Sequence, residues 1–421
     1  MSNKQPVPVG YLQLIRNNPN FRWLWFGQII SLLGDWFNLI ASASLISTLT
    51  QSGVALGSLF VVRMLAPFLI SPIAGVVADR YNRKLILIIS DVVRGFTVLG
   101  FLLVREAEQV WLVYVLTAVQ LALSGFYFPA RGAILPDIVS EKELGTANAL
   151  SSATWSVMLA MGAALGGFVA GRWGNYAAFT IDAITFFISA SFITQIALQV
   201  THNPAADRTV AAALQEYLNG LRYLGQHRNV LATALHKIGI MLFTGAAFDV
   251  IQVRIAEAIF SVGREGSAGL GWLFAFTGIG TGIGPMLVRY FVGDDPRSLR
   301  RTIFLGYLIC SAGITLVAPM LSFPTILIGT LIRGLGVGLI WVFSTQLLLQ
   351  MVPGKVLGRV FATEFALMTL GGAAGATTIG LLLDSSLSLT SLLLGMAALL
   401  LLPGTLWLVW LRRQEKVESL V

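Results

Sequence analysis

Charge is scarce in this chain of 421 residues. Asp, Glu, Lys and Arg together make up 11% of it, while hydrophobic residues make up 56%. A soluble domain carries about 25% charge, so an ordinary soluble enzyme or binding module is excluded. There is one cysteine, Cys310, and therefore no intrachain disulfide. The three histidines, His202, His227 and His236, are not at metal-ligand spacing, and no metal or cofactor is expected. No Gly-x-x-x-x-Gly-Lys-Ser/Thr phosphate loop occurs, which excludes an ATP-driven pump. No intramembrane nucleophile with a convergent base can be found, so enzyme chemistry is not expected.

What the chain has is length of apolar run. About 20 apolar residues cross a bilayer, and a segment in lipid must be helical to satisfy its backbone. Twelve such spans are read at roughly 21–49, 54–78, 85–104, 110–130, 147–171, 176–199, 231–255, 268–291, 302–320, 324–347, 359–383 and 388–411. The first is too long for the apolar region of a signal peptide and lacks a small-residue cleavage site. The longest polar stretch, about 200–230, divides the chain into a six-helix half (1–200), a linker (201–230) and a second six-helix half (231–421). Within the linker, Leu214, Leu218, Leu221 and Leu224 fall at i, i+4, i+7 and i+10 among Glu216, Arg222 and Arg228. That spacing predicts an amphipathic helix lying at a membrane surface.

The net charge of +8 invites a nucleic-acid reading, but its distribution opposes one. With the N-terminus placed in the cytoplasm, cytoplasmic segments hold 21 of the 28 basic residues, the outer loops hold Arg105, Arg172, Arg254 and Arg264, and Arg63, Arg94 and Arg333 lie inside spans. This bias predicts both termini inside. The basic excess thus directs insertion and marks no nucleic-acid partner.

The halves repeat at an offset of 213. Pro72 meets Pro285, Gly125 meets Gly338, Lys142 meets Lys355, Leu144 meets Leu357, Gly145 meets Gly358, Gly162 meets Gly375 and Gly167 meets Gly380. Parallel repeats about an axis along the membrane normal predict a transporter with its substrate site between them near the midplane.

Between spans 2 and 3 stands Gly75-Val-Val-Ala-Asp79-Arg80-Tyr-Asn-Arg83-Lys84. It resembles the signature loop of the major facilitator superfamily. NFRWLWFGQIISLLGDWF, ISDVVRG, YFPARGAILPDIV followed by ELGTANAL, FTIDAITFFISA and LGRVFA extend the resemblance over nearly the whole chain. They point to the bacterial efflux branch that includes macrolide exporters and the enterobactin exporter. The resemblance implies an all-α membrane protein of twelve helices in two pseudo-symmetric bundles. In that family the loop is thought to latch the cytoplasmic side against helix 11. Gly75, Asp79, Arg80, Arg83 and Lys84 would then face Arg359 and Glu364; simple positive-inside anchoring is the plainer alternative.

Within the spans, a carboxylate at the bilayer centre costs roughly 2.5–3.5 kcal/mol on insertion scales. Asp35, in LLGDWF, is expected to pair with Arg63 on the next span, either as a static ion pair or as a proton switch. Asp249, nearer an outer end, is a second coupling or external-gate candidate. Asp91 and Arg94, at i and i+3, suit a local structural pair, and Asp182 suits a structural role. Arg333 stands at the repeat position of Gln120, with a functional role or an interdomain salt bridge as its two readings. Trp36, Gln120, Trp155, Arg333 and Trp341 are assigned to the substrate cavity, and Trp23, Trp25, Trp407 and Trp410 to the membrane interfaces. Gly162-Ala163-Ala164-Leu165-Gly166-Gly167 resembles the antiporter motif of drug exporters, with alanine in place of proline.

These features lead to an expected secondary transporter of the bacterial cytoplasmic (inner) membrane. It would be a monomer exporting a hydrophobic or amphipathic small molecule, of drug or siderophore class, by proton-coupled antiport. A lysophospholipid or lipid translocator is the second transport reading. A non-transporting sensor or a membrane-embedded enzyme is the reading from another class.

Overall fold

The computed structural model describes residues 10–197, 209–292 and 295–418. His202 lies outside them, as do the side chains of Asp79 and Glu216. A short α1 (Tyr11–Asn17) precedes α2 (Pro19–Thr50), α3 (Gly53–Arg80), α4 (Arg83–Gly100), α5 (Val110–Ile138), α6 (Glu141–Trp173) and α7 (Asn175–Thr194). The linker helix is α8 (Val210–Gln226). Then follow α9 (Arg228–Phe243), α10 (Ala246–Ala258), α11 (Ser267–Val292), α12 (Pro296–Val317), α13 (Phe323–Met351), α14 (Gly354–Leu383) and α15 (Leu389–Glu418). Among the described residues twelve helices are long and apolar enough to cross a membrane, with α9 and α10 together forming the seventh. Most run several residues beyond the apolar windows read from sequence, and several of their polar ends are capped.

The caps explain why these segments start where they do. Asn18 accepts from the Phe21 amide with Pro19 at the first turn, Ser52 accepts from Ala55, and Asn82 accepts from Leu85. Ser140 and Glu143 form a reciprocal capping box on α6, and Asp295 with Pro296 opens α12. Each satisfies a helix N–H that has no partner within the helix. The helix ends near residues 18, 80, 138, 228, 292, 351 and 412 share one face with the chain ends, here called the terminal face; ends near 50, 105, 174, 260, 320 and 385 form the far face.

The first six and last six spans meet along two crossings, α3 against α14 and α6 against α11. Both are tight towards the far face. A Cβ on Gly57 would sit 2.7 Å from the Ala376 carbonyl oxygen, one on Gly380 would sit 2.8 Å from that of Gly53, and one on Gly167 would sit 2.6 Å from the Gly271 Cα. Only glycine permits backbones to approach this closely. Gly167 and Gly380, equivalent in the 213-residue repeat, therefore occupy equivalent crossings. Towards the terminal face the same helices part: a Cβ on Gly75, Gly145, Gly282 or Gly358 would find no atom within 4 Å.

Helix α8 fills part of that gap. The Tyr217 hydroxyl bonds the Ser71 hydroxyl of α3 at 2.9 Å, and Thr363 of α14 donates to the Tyr217 carbonyl at 3.2 Å. Gly220 lies flush against the Arg359 backbone. Leu224 packs with Val230, Leu348 and Val360, while Leu214, Leu218 and Leu221 are exposed. The linker helix is amphipathic as its spacing predicts, and it is braced between two spans rather than resting against one surface.

Candidate functional site at the seam

Asp35 on α2 and Arg94 on α4 form the centre of the first polar cluster. Arg94 Nη2 donates to Asp35 Oδ1 at 2.6 Å, and its Nη1 donates to Asp91 Oδ1 at 3.3 Å. Ser189 of α7 donates to the other Asp91 oxygen at 2.6 Å, and Gln120 of α5 donates to Asp35 at 3.4 Å. The Phe186 ring lies 4.0 Å from the guanidinium carbon. A desolvated guanidinium is tolerated when carboxylates and hydrogen bonds meet it on its fork, and here two carboxylates do. Asp35 keeps 24% of its side chain exposed, whereas Arg94 keeps 2%.

The expected Asp35–Arg63 pair is absent. Arg94 takes Asp35 because its planar fork bridges that carboxylate to Asp91, an arrangement that a single partner on α3 does not offer. No hydrogen bond or ion pair holds Arg63 among the described residues. Its acidic neighbours are Asp35, Asp249 and Asp182. Asp182 of α7 is buried against Gly34 and beside Asn38.

The second cluster surrounds a break in the seventh span. At Thr244–Gly245 the helix stops and restarts, with Gly245 at φ −73° and ψ −107°. The break frees the Thr244 carbonyl, and Arg333 of α13 donates to it at 3.1 Å. Arg333 also donates to the Thr277 hydroxyl of α11 at 3.0 Å. Thr277 reaches Gln252 Oε1 at 3.3 Å, and Gln252 donates to Asp249 Oδ1 at 3.1 Å. A polar chain thus runs from Arg333 to Asp249. Asp249 lies in the first turn of α10, where the helix dipole favours a carboxylate. The hydrogen bonds of Arg333 go to Thr244 and Thr277, both in the last six spans, so the interdomain salt bridge read from sequence is replaced by a clamp on the broken helix.

Of the residues assigned to the cavity, Trp36 crosses the seam, its ring 5.8 Å from that of Phe274 and its body against Gly162. Trp155 and Trp341 are exposed. Gln120 and Arg333 are buried, each serving a neighbour instead of a wall. Trp25 and Trp407 donate their indole N–H groups inside the protein, to the Thr154 hydroxyl and to the Arg300 carbonyl.

Of the residues expected to latch the terminal face, Arg83, Lys84 and Glu364 are each held within their own half. Arg83 pairs with Asp137 at 2.7 Å, Lys84 donates to the Thr194 and Ile196 carbonyls, and Arg80 and Arg359 are exposed. Glu364 pairs with Lys237 at 2.9 Å inside the last six spans, beneath the Trp341 and Phe361 rings. Gly75 has no close neighbour. The physical reason is the parting of α3 from α14, with α8 interposed. Lys237, counted with the terminal-face basic residues in the sequence, is in fact buried; its place several residues into an apolar span was the available signal.

At the far face two networks went unforeseen. The Asp384 carboxylate accepts from the Gly53 and Val54 amides at 2.5 and 2.9 Å and from the Ser52 hydroxyl at 2.8 Å, so a residue after α14 caps α3. Burial opposes its charge, but these hydrogen bonds prevail and hold its carboxyl below the usual range. Across the other crossing Asn175 donates to Glu265 at 2.6 Å, and Ser267 donates to Ser44 at 3.0 Å.

The sequence model of the Major Facilitator Superfamily matches residues 24–250. The chain belongs to the major facilitator superfamily. Among relatives within it, the putative bacilysin exporter BacE of Bacillus subtilis (strain 168) is 24% identical over 86% of this chain and 89% of its own. Macrolide efflux protein A of Streptococcus pyogenes is 24% identical over 87% and 88%. The crystal structure of nucleoside transporter NupG superposes with a TM-score of 0.74 at 10% identity, over 93% of this chain and 98% of the other, and so shares the fold. The superfamily assignment and the twelve apolar helices make this a multi-pass membrane transporter with efflux-type relatives.

Proposed function

We propose that this protein exports an amphipathic small molecule across the bacterial cytoplasmic membrane by proton-coupled antiport, with the terminal face cytoplasmic. The observation that carries this reading is the asymmetry of the seam, capped and glycine-tight at the far face and parted at the terminal face. A carrier of the alternating-access type needs such one-sided closure. The excess of Lys and Arg towards the terminal face supports the orientation, and the exporters among the relatives support the direction.

In this reading Asp35 is the coupling carboxylate and Arg94 its counter-ion. Asp35 lies at the seam, partly exposed, and is held by a guanidinium whose second carboxylate, Asp91, remains when Asp35 leaves. Substrate arrival or rocking separates the pair, and the freed carboxylate takes a proton. The signature-loop residues Asp79, Arg80, Arg83 and Lys84 engage Arg359 and the helix 11 end only in the opposite state. Transport assays in proteoliposomes test this: a pH gradient is expected to drive accumulation of a hydrophobic cargo such as erythromycin, and substrate movement indifferent to pH would remove the coupling.

A further inference from the structure

The geometry points to Arg63 as an anion-recognition group of the substrate site and Asp249 as its cation-recognition counterpart, so that the cargo is a zwitterion. This rests on the transporter reading and names its substrate class. Three helices pack together at the seam, α2, α3 and α10, and away from their ends they carry Asp35, Arg63 and Asp249. Each of the three is incompletely covered, whereas Asp91, Arg94, Asp182 and Arg333 are buried.

The three differ in what they already hold. Asp35 Oδ1 is engaged by Arg94 and Gln120. Asp249 Oδ1 accepts one amide hydrogen from Gln252 and its other oxygen accepts none among the described residues. Among the described residues Arg63 has all its guanidinium donors unspent, deep in an apolar helix, with carboxylates near it but none bonded to it. An intramembrane guanidinium with no hydrogen-bonded partner is costly and is retained where it meets something that arrives. Its fork matches a carboxylate with two parallel hydrogen bonds. Asp249, oriented by Gln252 and by the start of α10, presents one free oxygen from the other half of the molecule. A molecule bearing a carboxylate and an ammonium, with an apolar body towards Trp36 and Phe274, would bridge the halves and bring them together.

The test uses three probes of one shape: L-alanyl-L-phenylalanine, its C-terminal amide and its N-acetyl derivative. Binding is read by calorimetry on the full chain in nanodiscs. The zwitterion is expected to bind about 10–100-fold more tightly than either blocked form, the value of one charged hydrogen-bonded contact. Arg63→Gln is expected to bind the dipeptide and its amide alike, Arg63→Lys to retain part of the preference, and Asp249→Asn to bind the dipeptide and its N-acetyl form alike. Melting temperatures near wild type show that the variants fold. Equal binding of all three probes, no binding of any, or a preference untouched by Arg63→Gln overturns the assignment. Proteoliposome transport of the dipeptide and of erythromycin separates the two levels. Charge-selective binding without transport of either keeps the site and removes the transporter; erythromycin transport without charge selection does the reverse.

Discussion

Asp35 and Arg94 meet at 2.6 Å across 59 positions of sequence, joining the first span to the third and leaving the second span's arginine with no hydrogen-bonded carboxylate among the described residues. The pair places a carboxylate at the seam with its cation behind it. Asp35→Asn is expected to abolish pH-driven accumulation while leaving downhill exchange of substrate intact. Counterflow in proteoliposomes at equal pH, beside uptake under a pH gradient, checks this. Concentrative, pH-dependent transport by Asp35→Asn would return Asp35 to a purely structural role.

Arg94→Met removes the cation between two carboxylates. Stripping one partner from a buried ionic group costs about 3–5 kcal/mol. The variant is expected to melt well below wild type in detergent, and adding Asp91→Leu is expected to recover part of the loss. A melting curve indistinguishable from wild type would mean that water already screens the cluster.

Lys237 and Glu364 follow the same logic in the second half, 2.9 Å apart and nearly unexposed. Lys237→Met alone leaves Glu364 buried without its cation and is expected to destabilise by about 3–5 kcal/mol. Lys237→Met with Glu364→Leu is expected to cost much less, because no charge is stranded. Paired thermal denaturation of the single and double variants decides.

Asp384 gives the far face a pH dependence with a definite sign. Its carboxyl is depressed in the capped state, so the cap contributes fully above the uncapped value of about 3.9 and is lost as pH falls below it. Closure at the far face is therefore expected to be indifferent to pH between 6 and 8 and to weaken only in strong acid. Asp384→Ala is expected to open that face at neutral pH. Distances between spin labels at Thr50 and Ser388 will lengthen in the variant; unchanged distances would assign closure to the glycine crossings alone.

Cysteines placed at Gly75 and Arg359, on the terminal ends of α3 and α14, are expected to stay unlinked in the conformation described and to cross-link when substrate and proton gradient drive the cycle. Cross-linking in every condition would place α8 elsewhere than between them.

Much of the fold was legible because a bilayer leaves few choices: long apolar runs must be helices, and their count and polarity follow. The repeat glycines were legible as a register, and two of them occupy the crossings. What escaped were pairings. Periodicity states which residues lie in a span, but not towards which neighbour each points, so the sequence pairs Asp35 with the arginine of the adjacent span instead of the one able to bridge two carboxylates. The break at Thr244–Gly245 hid inside a uniformly apolar stretch, since hydropathy does not register a missing backbone hydrogen bond. Asp384 lies just past one span and Lys237 a few residues inside another, positions where polarity announces no partner, yet one caps a helix 331 residues away and the other is buried.

The positions shared between the two halves are not all of one kind. At the 213-residue offset Gly167 and Gly380 still match, whereas Asp35 stands opposite Phe248 and Arg94 opposite Tyr307. Backbone proximity is demanded at the same register on each side of the axis, while each half sets its ion pairs at positions of its own, Asp35–Arg94 in the first and Lys237–Glu364 in the second. A saturation mutagenesis map should therefore carry an echo: intolerance at Gly167 recurring at Gly380, and intolerance at Asp35 and Arg94 finding no answer at Phe248 and Tyr307. An ancestral duplication has kept a hinge surface in duplicate and let the electrostatics of each half drift to its own register.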